Sequence, residues 1–165
     1  MRQIPLTLAV LAVVAFPAHA ADPAGEWRVE GGKAHIRTAL CDGRLWGVVS
    51  WERTPGTDAR NSDPALRRRA TLGLPIVLGM TPVQPDRWQG AIYNAENGKT
   101  YQATITLNPP DRLDVEGCVL SGWVCSGESW HRVVPAPGSA GSAPGTDLCL
   151  RLGAGAGLPH QSGLK

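Results

Sequence analysis

Residues 88–101 read WQGAIYNAENGKTY, and this stretch decides the fold. Trp88, Gly90 and Ile92 alternate with more polar neighbours, and beyond Glu96-Asn97-Gly98-Lys99 the alternation resumes as Tyr101, Ala103, Ile105 and Leu107. A period of two on both sides of a turn describes two antiparallel strands with one face buried. Asn97-Gly98 is the dipeptide that most readily supplies the two positive-φ positions of a type I′ turn, so a β-hairpin is expected to reverse there.

Upstream, Ala34, Ile36, Thr38 and Leu40 form one face of a half-buried strand and Lys33, His35 and Arg37 the other. Asp42-Gly43 marks a second tight hairpin. Leu45, Gly47, Val49 and Trp51 then continue the inner face, while Trp46 and Val48 point outward beneath some cover. Before them GEWRVE, starting at Gly25, is an extended segment stopped by Gly31-Gly32, and PIVLGM at 75–80 is another strand, followed by a loop punctuated by Pro82 and Pro85. Downstream, Pro109-Pro110-Asp111 turns the chain into Leu113, Val115 and Gly117, and Ser121-Gly122 turns it again into WVCSGESWHRV.

Residues 53–74 interrupt this rhythm. Asp63 as N-cap and Pro64 at the first helical position predict a short helix over 64–69. A strand reversal needs only a few residues, so the excursion is expected to form a structured cover over one barrel mouth. Leu66 and Leu72 would plug the opening, and Arg67 or Arg69 would face the Asp58 carboxylate in an exposed pair. About eight short strands and one short helix indicate an all-β fold, a small closed antiparallel up-and-down barrel in which closure removes exposed edges. An open sandwich would use the same strands and turns.

The first residues put Arg2 ahead of an apolar run that ends in Ala18-His19-Ala20, the pattern of a secretory signal peptide cleaved after Ala20. That run, about 10–13 residues long, is short of the roughly 20 that a spanning helix requires. The expected organisation is a signal over 1–20, a barrel over 21–133 and a flexible Gly/Pro/Ala-rich tail over 134–165, in a periplasmic or secreted protein that does not span the membrane. With Arg2 removed, basic residues exceed acidic ones by one. That balance argues against nucleic acid and against anionic membranes as partners.

Four cysteines permit three pairings. A two-residue turn at Ser121-Gly122 sets Cys118 opposite Cys125, which leaves Cys41 for Cys149, with a free Cys149 as the alternative.

GEWRVE, IRTALCDGRLWGVVSWER, DARNSDPALRRRATLGLPIVLGM, WQGAIYNAENGKTY and a closing strand ending WHRV resemble, in that order, the secreted bacterial proteins grouped as domain of unknown function 2147. The resemblance implies an exported compact β fold and supplies no catalytic residues. The chain departs from it at Trp46, where many members have Cys, and in its tail with Cys149. Gly25-x-Trp27 also looks like the opening strand of lipocalin-type barrels, which implies that Trp27 closes the barrel floor and that Arg132 lies across its ring.

Nucleophile-elbow, zinc-protease, C-x-x-C and phosphate-loop spacings are absent from the sequence, so neither an enzyme nor a metal or cofactor site is expected. Asp58, Asn61 and Asp63 lack the spacing of a calcium loop and read as turn and capping residues. Trp51, Trp88, Tyr93, Tyr101 and Trp130 are the candidate walls of a ligand cavity, each with core packing as its plainer role. The leading expectation is an envelope protein holding a small apolar ligand; the alternative is an interaction or inhibitor module that acts on another envelope protein through its loops.

Overall fold

The structure is a computed structural model, and it describes residues 22–108, 110–119, 124–134 and 146–153. The eight strands are β1 (Gly25–Arg28), β2 (Ala34–Cys41), β3 (Arg44–Glu52), β4 (Pro75–Gln84), β5 (Arg87–Asn94), β6 (Lys99–Asn108), β7 (Arg112–Val119) and β8 (Val124–Arg132). Each pairs antiparallel with the next, and β1 pairs with β8, which closes the barrel. Closure rules out the open sandwich. One end carries the loops 29–33, 53–74 and 95–98 and the ends of β7 and β8 at Val119 and Val124; the other carries the turns 42–43 and 85–86 and the ends of β6 and β7 at Asn108 and Arg112.

The lower half is filled by side chains. Trp27, Leu45, Met80, Trp88, Ile105, Leu107 and Leu113 are all at most 3% exposed, and each such burial contributes about 1.5–3 kcal/mol. The floor is the arrangement that the Gly25-x-Trp27 resemblance implied. Arg132 Cζ lies 4.1 Å from the Trp27 ring centroid, and its guanidinium donates to the carbonyls of Asp22, Ala24 and Pro110. The Trp27 indole N–H reaches Thr38 Oγ1 at 2.9 Å and the Pro23 carbonyl at 3.1 Å, so its burial leaves no polar atom unpaired.

Asp42 and Gly43 form the expected tight reversal between β2 and β3, and their φ of 50° and 74° are the two positive values of a type I′ turn. The 88–101 hairpin also forms, with Trp88 opposite Ile105, Gly90 opposite Ala103 and Ile92 opposite Tyr101. Its turn differs from the expected one. Asn94 pairs with Lys99, so four residues make the reversal, and of Asn97 and Gly98 only Gly98 has positive φ. The reason lies outside the hairpin: a Cβ on Gly98 would sit 1.9 Å from the Arg60 carbonyl oxygen, because the 53–74 excursion rests on this turn.

Three further expectations are corrected. In β3, His35 pairs with Trp51 and Ile36 with Val49, so Ser50 is an extra bulged residue that turns Trp51 to the outside, where it is 43% exposed and stacks on His35 with centroids 4.7 Å apart. Leu40, expected on the inner face, is 44% exposed near the floor. Finally, β4 continues through Pro82 to Gln84. Its pairing with β3 ends at Met80, so Pro82 sits where β4 has a neighbour on one side and lacks no ladder bond.

Both expected disulfides are present, Cys118–Cys125 across β7 and β8 and Cys41–Cys149. The register that the Ser121-Gly122 turn implied, Val119 opposite Val124, is also present, although that turn and Trp123 lie outside the described residues. So do the expected signal segment over 1–20, its expected cleavage site and His160. Within the stretch that composition assigned to a flexible tail, Thr146–Arg151 forms a helix, α1. Leu148 and Cys149 of α1 pack with Leu152 against Ala39, Cys41, Trp46 and Val48, the outward apolar face for which a cover was expected. The helix gains its place from this packing and from the disulfide; six residues are too few to hold a helix alone.

Candidate functional site

Above the filled floor the barrel is hollow. A cavity of about 730 Å³ opens toward the loop-bearing end, a volume in the range of small-molecule sites. It exists because the inner positions shrink toward this end. Val115 and Gly117 of β7 and Ser126 of β8 stand where the floor has Leu113 and Trp130. The remaining wall is mostly apolar, from Val29, Ile36, Val49, Ile76 and Ile92.

Of the five aromatic residues expected to line such a cavity, Tyr93, Tyr101 and Trp130 do so. Trp88 is 3% exposed in the floor, and Trp51 borders an outer groove with Arg28, His35 and His131. Three carboxyl groups also line the cavity: Glu96, which is paired with Lys33, and Glu52 and Glu128, which patterning had not singled out. Glu128 shares the inner face of β8 with Trp130 and accepts its indole N–H. Glu52 Oε2 is buried without a hydrogen-bond partner among the described residues. The alternation that places Trp130 inside also places Glu128 inside, two residues earlier, so that signal was available. Glu52 turns inward only because of the bulge at Ser50.

The 53–74 excursion is ordered at the mouth, but a different set of residues holds it. Asp63 caps a short 3-10 helix, Pro64–Leu66, by accepting from the Ala65 N–H, so the expected helix over 64–69 is shorter. Leu66 and Leu72 do not plug the opening; they are 38% and 54% exposed. The anchor is Asp58, expected in an exposed ion pair and in fact fully buried. Its carboxylate accepts from the Tyr93 hydroxyl at 2.6 Å, from Asn61 Nδ2 at 2.7 Å and from Arg69, whose Nη2 is 2.7 Å away. Burial pushes the Asp58 carboxyl upward, yet the hydrogen bonds from Tyr93, Asn61 and Arg69 and the Arg69 charge outweigh it and hold the group below the usual carboxylate range. Burial, together with the neighbouring Asp58, pushes the Tyr93 phenol up.

The mouth loops are tied to one another as well. Lys33 Nζ meets Glu96 Oε1 at 2.6 Å, and Arg53 donates to the carbonyls of Gly31 and Gly32. Glu116 lies near Cys118 and Cys125, but both sulfurs are committed to the disulfide and offer no thiolate to a metal.

Two disulfides place the maturation of the chain in an oxidising compartment. Among the described residues no helix is long and apolar enough to cross a membrane. No curated protein matches the chain. A solved structure from the human pathogen Helicobacter pylori, of a protein described as belonging to the lipocalin family, superposes with a TM-score of 0.63 at 18% identity. That match covers 69% of this chain and 84% of the other. At that identity the likeness shows the lipocalin-like fold alone. Residues 25–132 match the family described as "Uncharacterized protein conserved in bacteria (DUF2147)", and the chain belongs to that family.

Proposed function

We propose that this chain is an exported carrier that holds a small, largely apolar ligand in the upper half of its barrel, in the bacterial periplasm or outside the cell. The observation that carries the reading is the cavity of about 730 Å³ with walls of Val, Ile, Tyr and Trp, above a floor that is fully packed. A structural barrel needs no such asymmetry, since eight strands enclose an interior that side chains are able to fill. Export fits the two disulfides and the charged-apolar-small start of the chain. On this reading, material from the envelope begins at Ala21.

The test is uptake of the neutral fluorophore N-phenyl-1-naphthylamine, compared with a variant that narrows the cavity. Gly117 lies on the wall, and a Cβ there meets nothing closer than Tyr101 at 3.6 Å, so Gly117→Leu starts without a clash and adds volume at the lining. Saturable uptake by the parent, weakened in a Gly117→Leu protein of unchanged melting temperature, is the expected result. Equal uptake by both proteins would refute the reading.

The alternative of a module acting through its loops has one supporting observation: Leu66, Leu72, Val119 and Val124 are exposed apolar side chains at the mouth end. Capture of an envelope protein by the parent, lost when these residues are made polar while fluorophore uptake persists, would favour it.

A further inference from the structure

We infer that the ligand carries a protonated amino group on its apolar body, that is, a small alkyl- or arylalkylamine bound with its nitrogen at Glu52 and Glu128. The inference rests on the carrier reading above and adds the chemical class of the cargo.

The charged groups of the lining are unevenly placed. Lys33 and Arg53 are exposed residues of the mouth loops and are occupied there, Lys33 by Glu96 and Arg53 by the carbonyls of Gly31 and Gly32. Glu52 and Glu128 are partly buried strand residues. Among the described residues no cation contacts either carboxyl group. Among those residues Glu52 Oε2 is buried without a hydrogen-bond partner, and the Trp130 indole takes one acceptor site of the four or so on Glu128. Thr71 Oγ1, the other buried and unpartnered polar atom of the lining among the described residues, is a neutral hydroxyl, so the strand wall is acidic and the cations of the lining lie on the mouth loops.

An unpaired acceptor in an apolar wall is destabilising until a donor arrives. A ligand that displaces water from a polar group must replace its hydrogen bonds or lose affinity. An ammonium group has three donors and a charge complementary to both carboxylates, which makes its bonds roughly twice as strong as neutral ones. Tyr101 and Trp130 in the same lining add aromatic surface, whereas the Tyr93 ring already has Arg69 Cζ 5.9 Å from its centroid. A carboxylate-bearing ligand, a fatty acid included, meets the opposite situation, with its own charge set against two acids.

The experiment measures displacement of N-phenyl-1-naphthylamine at pH 7 by three compounds of similar shape: 2-phenylethylamine, 2-phenylethanol and 3-phenylpropanoate. The amine should bind roughly tenfold or more tightly than the alcohol, and the carboxylate most weakly. Glu52→Gln removes no protein contact of Oε2, and Glu128→Gln keeps an acceptor for Trp130, so both variants should fold; together they should abolish the amine preference and leave the alcohol unchanged. If the alcohol or the carboxylate binds as well as the amine, or if the preference survives both substitutions, the amine assignment falls while the carrier reading stands. If the fluorophore itself does not bind, both fall together.

Discussion

The Tyr93 hydroxyl donates to Asp58 Oδ1 across 2.6 Å, and this bond joins the wall of the cavity to the segment that borders its mouth. Tyr93 lies on β5 and lines the cavity, whereas Asp58 belongs to the 53–74 excursion. Tyr93→Phe keeps the ring and removes the donor, which leaves a buried carboxylate short of one bond. The expected cost to the local stability of the cover is about 1–3 kcal/mol. The amides of Asp58, Asn61 and Thr71, bonded to the carbonyls of Arg69, Asp58 and Gly56, report it directly. Their hydrogen exchange should accelerate roughly tenfold or more, with the strand amides of β6 unchanged; unaltered exchange would show that the bond does not hold the cover.

The cover should also respond to acid. Asp58 titrates below its unfolded value of 3.8, so its contribution is present above that pH and is lost as pH falls through the lower folded value. Exchange protection at Asn61 and Thr71 should therefore drop below about pH 4 while the barrel remains folded. In Asp58→Asn the protection should be weaker and should no longer change across that range. Tyr93 works in the other direction. Its raised folded value makes stability fall as pH climbs beyond 10, so the cover loosens at both extremes.

At the floor, Arg132→Ala removes a cation over Trp27 and the donors to three carbonyls. Part of that side chain is exposed, so the expected loss is about 2–3 kcal/mol, read as a lower urea midpoint with an unchanged slope. Arg132→Lys should recover less than half of it, because a point charge cannot reach three carbonyls at once. Full recovery would mean that charge alone holds the floor.

Cys149→Ser should release α1 from the barrel. The bond closes a separation of 108 residues, and loop-closure entropy puts its contribution at about 5 kcal/mol at most. Trp46 and Val48, which pack against Leu148 and Leu152, become exposed when the helix leaves. A red shift of the tryptophan emission and proteolysis after residue 134 should accompany the loss; an unchanged spectrum would mean that packing alone keeps the helix in place.

Sequence patterning was most informative where side chains act through their immediate neighbours. Alternation and Asp42-Gly43 were enough to place β2, β3, β5 and β6, and a two-residue register was enough to pair Cys118 with Cys125. The misplaced features depend on contacts far along the chain. A bulge at Ser50 reverses Trp51 and brings Glu52 to the cavity, and nothing local announces it. Gly98 looks like a partner for Asn97 in a tight turn, whereas its lack of a side chain admits the Arg60 carbonyl. Asp58 resembles a surface turn residue because its three side-chain partners, Asn61, Arg69 and Tyr93, are up to 35 residues away. Burial of a charge is a property of that assembled set, and a reading by periodicity does not detect it.

The two disulfides differ in when their halves are made. Synthesis delivers Cys41 first, and its partner Cys149 appears 108 residues later, after Cys118 and Cys125 have already emerged. Two competing thiols are thus presented to Cys41 before the correct one exists. They are only seven residues apart and sit opposite each other on adjacent strands, so they find each other fastest. The short bridge removes the competitors before the long one is made, and the spacing of the cysteines along the chain acts as a timetable for their correct pairing.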